Sequence, residues 1–422
     1  MTHYYYKCFD CDSEFPAEKI EDNQIYLCPE CGESKKNTPL KGVLLIKYDT
    51  DFIKQNISRS GLLGKRIGRF WEYPYLWPLK INKGKFSKIS ESVYNKLILL
   101  EDPLLTNNYK GIEVDFWDET RNPTYSFKDR ASSLVAIKAI ELGVNEIAAA
   151  STGNAGSSLA GICSRLGLKS KLIVPKNIPR EKLNQIMAYG AETFLVDGDY
   201  DQAYDLCLEL SEKYNWLNRN TAYNPLTIEG KKSAAIDMFI RYKGKLPDFI
   251  VVPVGDGVII SGIYKGFSDL LQLGWIEKIP MLIAVQAEGS NALVRYLETD
   301  QFKFESANTI ADSICAGAPR NLYMASKAVK ETNGFPIGVK DEDILIAQKE
   351  FAQNYGVLAE PAAAASFAGL KLGLDKGLID KNWKGLLLIT GTGLKDSASI
   401  KKWINEITPK SEEKIKRSLL NI

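Results

Sequence analysis

The sequence predicts an α/β protein built from two parallel-sheet units, with a small cysteine-bearing unit at the N-terminus. Three observations predict it. From about residue 101 short apolar runs alternate with amphipathic stretches, the rhythm of parallel strands covered by helices on both faces. A chain of 422 residues is longer than one core usually serves and fits two α/β units. Two closely spaced cysteine pairs mark off the first segment.

That segment comes first in chain order. Cys8-Phe-Asp-Cys11 and Cys28-Pro-Glu-Cys31 are separated by sixteen residues, and Gly32 follows the second pair. The spacing is that of a zinc ribbon, with two thiolate-bearing turns closing a tetrahedral site. So short a unit can hardly bury a core alone, and a metal would staple it. Two disulfides or free thiols are the alternatives. Four sulfur ligands leave no open position, so a metal held there would be structural. Ribbons also serve nucleic-acid binders, but no run of Arg and Lys surrounds this one.

Residues 46–100 carry basic and aromatic clusters around Arg66–Trp77, read as a connecting layer or an oligomer contact. Beyond them strands are predicted at Asn145–Ala150, Lys171–Pro175, Glu192–Val196, Asp248–Val254, Met281–Gln286 and Gly385–Thr390. Between strands, Ala131, Leu134, Val135, Ala139 and Leu142 share a helical face that stops at Gly143. Ala155, Leu159, Ile162, Cys163 and Leu166 do the same before Gly167. Cys163, Cys207 and Cys315 stand alone and are expected to be buried as small apolar residues. No internal repeat or low-complexity segment is evident.

Composition excludes several functions. Lys and Arg outnumber Asp and Glu by 54 − 52 = +2, so no global field draws nucleic acid or an anionic membrane. No run of eighteen apolar residues suits a membrane span. The N-terminus lacks the pattern of a signal peptide, which makes the cytoplasm the expected compartment. The single histidine, His3, is expected in a mobile terminus. Histidine-based triads and catalytic metal sites therefore have almost nothing to build on. Proton transfer must use a tuned Lys, a carboxylate, Tyr, Cys or a cofactor.

Three loops carry chemistry. Asn122-Pro123-Thr124-Tyr125-Ser126-Phe127-Lys128-Asp129-Arg130 combines a turn with a helix start near Ser126, where backbone N–H groups meet an anion. A Lys at such a partly enclosed helix start can have a lowered pKa and serve as an amine nucleophile; taken from this loop alone, Lys128 reads rather as an exposed, ion-pairing Lys. Ser151-Thr152-Gly153-Asn154-Ala155-Gly156 follows a predicted strand. Its glycines let backbone approach a planar ligand and Asn154 offers an amide, although all three polar residues also cap helices. Gly255-Asp256-Gly257 lies between a strand and a helix, the position of a phosphate cradle or of a simple tight turn.

In this order the three loops resemble the fold-type-II pyridoxal-phosphate enzymes of the tryptophan synthase β-subunit kind, and threonine synthases most closely. Asn224-Pro225 with Glu229-Gly230-Lys231-Lys232, Glu360-Pro361-Ala362, and Thr390-Gly391-Thr392-Gly393-Leu394-Lys395-Asp396 extend the match. So does Trp71-Glu72-Tyr73 ahead of Leu76 and Pro78, similar to the segment that joins a cysteine ribbon to the enzyme body. The resemblance implies a ribbon at 1–45 and a small α/β domain at 130–220. The large cofactor-binding domain would span 46–129 and 221–422. Lys128 would carry pyridoxal 5'-phosphate covalently and shuttle protons. Asn154 would bond the ring hydroxyl, Gly255, Asp256, Gly257 and Val258 would hold the phosphate, and Thr390 would face the ring nitrogen. Cys8, Cys11, Cys28 and Cys31 would hold zinc. The implied protein is a homodimeric lyase acting on a small amino acid, O-phosphohomoserine for a threonine synthase.

The sequence departs from the family on the substrate side. Thr227 stands where an Arg helps grip the substrate phosphate, and Ala155 replaces a Thr. The family's Asn-Ser pair corresponds to Thr221-Ala222 or, shifted by one, to Asn220-Thr221. Gly-Asp-Gly-Val-Ile replaces Gly-Asn-Ala-Gly-Asn, and Asp256 would repel a phosphate unless it turned away to cap the next helix. Ser151, Thr152 and Thr227 are the expected substrate-facing residues. A threonine or serine dehydratase, or a cysteate-synthase-like β-replacement enzyme, is the alternative to a threonine synthase. Ala311-Asp312-Ser313-Ile314 with Gly317 is reminiscent of dehydratases. A non-catalytic ribbon protein on a dead enzyme scaffold would lack intact Lys128, Asn154 and Thr390.

Overall fold

The computed structural model describes residues 2–420 apart from Thr152, Asn177, Pro179, Asp199 and Glu406. The N-terminal sheet is antiparallel: β1 (Tyr4–Cys8) runs between β2 (Glu14–Pro16) and β3 (Leu44–Tyr48). Alternation turns Tyr4, Tyr6 and Cys8 inward. Tyr4 and Tyr6 share one apolar core with Leu134 and Ile137 of the body, so this small unit borrows the core it cannot build. Both tyrosine hydroxyls donate to Glu21, and Lys138 donates to Glu21 at 3.0 Å and Glu141 at 2.7 Å. Such a buried cluster adds little net stability, because desolvation offsets its attraction.

His3 departs from expectation. It is buried, stacks on Phe52 at 5.0 Å, and burial lowers its pKa to about 4. The backbone bond from Asp49 N to His3 O closes that end of the sheet. The aromatic cluster at Arg66–Trp77 also turns inward. Phe70, Tyr73, Leu76 and Trp77 are buried, Trp77 Nε1 donates to Phe70 O, and Tyr73 Oη donates to Asp237. It is a connecting layer, capped by the hairpin β4 (Ile81–Asn82) and β5 (Lys85–Phe86).

Two larger sheets follow. β6 (Leu104–Tyr109) and β7 (Ile112–Asp118) form a hairpin at one edge of the first. The chain then leaves for the second sheet, built from β8 (Glu146–Ala149), β9 (Lys169–Pro175), β10 (Glu192–Val196) and β11 (Leu217–Asn218). It returns as β12 (Phe249–Pro253), β13 (Met281–Ala287), β14 (Pro336–Val339) and β15 (Gly385–Ile389). The orders are β10-β9-β8-β11, all parallel, and β14-β13-β12-β15-β7-β6, parallel except for the β6–β7 pair. All six predicted strands are present, with small shifts at their ends. The prediction omitted the polar edge strand β6, the short β11 and β14, and β7, whose apolar run is interrupted by Glu113 and Asp115.

The helix Lys128–Leu142 is buried almost all round, not on one face as its pattern implied. It lies beneath the helix Leu226–Arg241, itself buried over most of its length. Arg130 joins the two through Asp237 at 2.6 Å and also pairs with Glu119, just after β7, at 2.7 Å. Gly143 and Gly167 end their helices in the left-handed region, with φ of 75° and 72°. Among the described residues no helix is long and apolar enough to cross a membrane.

Candidate active site

The loops after β7, β8, β12 and β15 all open on one cavity of about 700 Å³, at the carboxyl ends of the parallel strands where ligands of such folds gather. Lys128 is the first residue of its helix. The preceding loop is shaped by Asp129, which accepts from Thr124 N at 2.6 Å, and by Phe127 N donating to Thr390 O at 2.8 Å. Tyr125 at the turn has φ of 66° and points to solvent. The Lys128 amine makes no hydrogen bond to any described residue. Burial lowers its pKa to about 8, with Glu360 and Asp256 opposing the shift and Arg219 and Lys395 adding to it. It is an available nucleophile, not an ion-pairing surface lysine.

Asn154, at the start of the helix Asn154–Leu166, also lines the cavity. Its amide donates to both Glu360 oxygens, at 2.9 and 3.0 Å, and its carbonyl accepts from Lys395 at 3.1 Å. Ser313 donates to the same carboxylate at 3.2 Å. Ser151, Gly255, Asp256, Gly257, Val258 and Thr390 line the cavity too. Thr152 lies outside the described residues. The helix Val258–Gln272 starts at Gly257, whose φ is 83°. Asp256 does not cap that helix. Its side chain accepts from Arg320 N at 3.3 Å and its carbonyl from Asn321 N at 3.0 Å, which turns the carboxylate toward the Arg320 segment.

Two expectations need correction. Thr227 is fully buried and absent from the cavity wall. Its hydroxyl donates to Asn224 O at 2.8 Å and accepts from Ala222 N, closing the first turn of its own helix. Cys163 and Cys207 are buried, but Cys315 is half-buried and lines the cavity.

The cations at this wall are others. Arg219 and Lys231 border the cavity, each 0% exposed. Among the described residues Arg219 reaches only hydroxyls, Ser132 at 3.3 Å and Thr221 at 2.7 Å, and its Nη2 has no partner there. Lys231 donates to Thr227 O at 3.1 Å. Among the described residues neither has a carboxylate at ion-pair distance. Burial holds the Arg219 pKa down at about 10 and depresses that of Lys231 further below its usual range. Buried charges without counter-charges are costly, which marks this wall as built to face an anion. Arg320, half-buried, stands at the same wall with its guanidinium 3.9 Å from the Tyr204 ring centroid. Sequence reasoning placed Lys231, Glu360 and Lys395 only within matching motifs, and missed Arg219 as a site residue.

Away from the cavity, the sulfurs of Cys8, Cys11, Cys28 and Cys31 lie within 4.8 Å of one another, with Cys8–Cys31 at 3.5 Å and Cys11–Cys28 at 3.6 Å. A tetrahedron with Zn–S bonds of ~2.3 Å has edges of ~3.8 Å, so the cluster fits that ion. No disulfide links these cysteines. Backbone N–H groups of Asp10 and Glu30 point at Cys8 and Cys28 sulfurs.

Comparisons with known proteins agree with this geometry. Residues 102–391 match the family model "Pyridoxal-phosphate dependent enzyme". The chain is 35% identical over 400 residues to a threonine synthase of Methanocaldococcus jannaschii, covering 92% of each chain. It is 32% identical over 403 residues to a threonine synthase of Methanosarcina acetivorans, covering 94% of this chain and 93% of the other. Among solved structures, the processed form of threonine deaminase isoform 2 from Solanum lycopersicum superimposes with a TM-score of 0.60 at 20% identity, over 74% of this chain and 93% of that one. That last likeness concerns the fold alone.

Proposed function

The chain belongs to the pyridoxal-phosphate dependent enzymes and within them to the threonine synthases, and from that premise we propose that it converts O-phosphohomoserine and water to threonine and phosphate. Its general nature, a threonine synthase-like lyase that uses pyridoxal phosphate, follows from the family. The substrate rests on one observation: buried Arg219 and Lys231, without carboxylate partners among the described residues, border the cavity into which Lys128 opens. A substrate phosphate supplies the missing negative charge.

The residues present fit the cofactor. Lys128 offers an amine of lowered pKa, and the start of the helix Val258–Gln272 offers main-chain N–H groups to a phosphate. Bound pyridoxal phosphate supplies an electron sink at the amino-acid carbons. In this reading Lys128 holds the cofactor and moves protons at the substrate carbons. Asn154 and Thr390 orient the ring at its hydroxyl and nitrogen. Gly255, Asp256, Gly257 and Val258 hold its phosphate by main chain, and Ser151 faces the substrate carboxylate. Glu360 fixes the Asn154 amide, and its charge sustains proton binding at Lys128. The division into 1–45, 130–220, and 46–129 with 221–422 belongs to this reading, as do a homodimer and a cytoplasmic location.

Turnover with a panel of phosphorylated and free amino acids tests it. Stoichiometric phosphate and threonine from O-phosphohomoserine is the expected result. Oxoacid release from threonine or serine, with O-phosphohomoserine ignored, would replace the proposal with the dehydratase.

We also assign one structural zinc to Cys8, Cys11, Cys28 and Cys31. Metal analysis of protein purified without a metal-affinity tag should give about one zinc per chain, because a closed Cys₄ site is worth on the order of 10 kcal/mol. Occupancy below about half after gentle purification would favour free thiols.

A further inference from the structure

The cavity has one wall that the enzyme body does not supply. Asn37 and Thr38 line it, and both belong to the N-terminal unit, none of whose residues the sequence placed at the cofactor or the substrate. They sit at the tip of a finger that leaves the second cysteine pair and returns at Gly42.

The finger's root is tightly determined. Glu33 and Lys41 exchange backbone hydrogen bonds of 2.9 and 3.0 Å, Gly32 N donates to Cys28 O, and Cys28 N donates to Gly42 O. Gly42 has φ of 71°, and a Cβ there would meet Gly32 Cα at 2.5 Å, so the two arms cross where only glycines fit. Gly42 N donates to Asp10 Oδ2 at 2.6 Å, between the cysteines of the first pair. The four-cysteine cluster thus sets the finger's base.

Its far side is bound to the body. Leu40 is buried among Ala222, Ile228, Val258 and Met324. Leu40 N donates to Arg320 O at 2.9 Å, and Arg320 N donates to Asp256. The tip itself stays exposed: Asn37 takes φ of 58°, a conformation Asn tolerates, and Thr38 Oγ1 donates to Lys35 O. A rigid root and a polar tip at a cavity mouth describe a recognition element.

We infer that the finger Glu33–Lys41 reads the substrate, with Asn37 and Thr38 as specificity-determining contacts. The inference rests on the cavity being the substrate site, as proposed above. Both tip side chains can hydrogen-bond a polar ligand.

The test uses the full-length holoenzyme carrying Asn37→Ala and Thr38→Ala together, on whichever panel compound the wild type turns over. The exposed tip can lose both side chains without disturbing the core. KM should rise about tenfold, kcat should stay within about twofold, and the visible cofactor absorbance should be unchanged. The midpoint of the absorbance change on titrating in the same compound should move by the same factor. Thr38→Ser, which keeps the hydroxyl, should stay near wild type. An unchanged KM and midpoint would overturn the inference, as would loss of cofactor absorbance, which would make the finger a support of the phosphate loop. If the working compound proves unphosphorylated, the substrate proposal falls while this comparison still decides the finger's role.

Discussion

Replacing Lys128 with alanine is expected to lower turnover by about a thousandfold or more, since one amine provides both cofactor attachment and proton transfer. The fold should survive, and the physical reason is specific. Lys128 forms no ion pair or hydrogen bond among the described residues, and burial, the largest influence on its amine, disfavours the charged form. Removing it relieves that desolvation cost. Cofactor-free Lys128→Ala should therefore melt no lower than cofactor-free wild type; the apo forms must be compared because bound cofactor stabilises by mass action. Borohydride reduction of the wild type should leave the cofactor on the Lys128 peptide, and an adduct on another lysine would sink the assignment. The pH dependence has a definite sign. A group of pKa about 8 becomes neutral above pH 8, whereas an ordinary lysine is only roughly 0.3% neutral there. Uptake of cofactor by apoenzyme should rise with pH and level off above about 8. A rise continuing toward pH 10 would mean that the amine is not depressed.

What the sequence made legible was local. The Lys128 loop, the Asn154 loop and the Gly255–Gly257 turn each work through backbone that follows directly from neighbouring residues, and all three converge on the cavity. Family membership was legible from the same stretches. The cationic wall was not. Arg219 follows the two-residue strand β11, with no periodicity to announce burial, and only the packing of the helix Lys128–Leu142 brings Ser132 against it. Asn37 and Thr38 sit in Lys35-Lys36-Asn37-Thr38-Pro39, a composition that reads as a solvated turn. Their role depends on Leu40 meeting Arg320, a contact across some 280 residues of chain that no spacing rule encodes. His3 was misjudged for the converse reason: terminal position argued for mobility, while Phe52 and Tyr48 enclose it. Thr227 was expected at the substrate by its place after Asn-Pro, yet its side chain is spent on its own helix turn.

Thr227 and Arg219 therefore make opposite predictions, and together they locate the phosphate grip. If the family position alone mattered, Thr227→Arg would improve the use of O-phosphohomoserine. The packing says otherwise. Thr227 is 0% exposed, its hydroxyl has two backbone partners, and its carbonyl receives Lys231. A guanidinium there would be overpacked and add a third buried cation beside Arg219 and Lys231, so Thr227→Arg should destabilise by at least about 1–3 kcal/mol with no gain in activity. Arg219→Gln should do the informative damage. Glutamine keeps a polar group for Ser132 and Thr221 but removes the charge. A unit charge acting over ~8 Å at an effective dielectric of about 20 is worth ~2 kcal/mol, or roughly thirtyfold in affinity. KM for O-phosphohomoserine should rise by about that factor, and inhibition by inorganic phosphate should weaken in parallel, while the cofactor stays bound. A variant that lost the cofactor at unchanged KM would assign Arg219 to the cofactor phosphate. A Thr227→Arg enzyme that remained folded with a lower KM would return the grip to the family position.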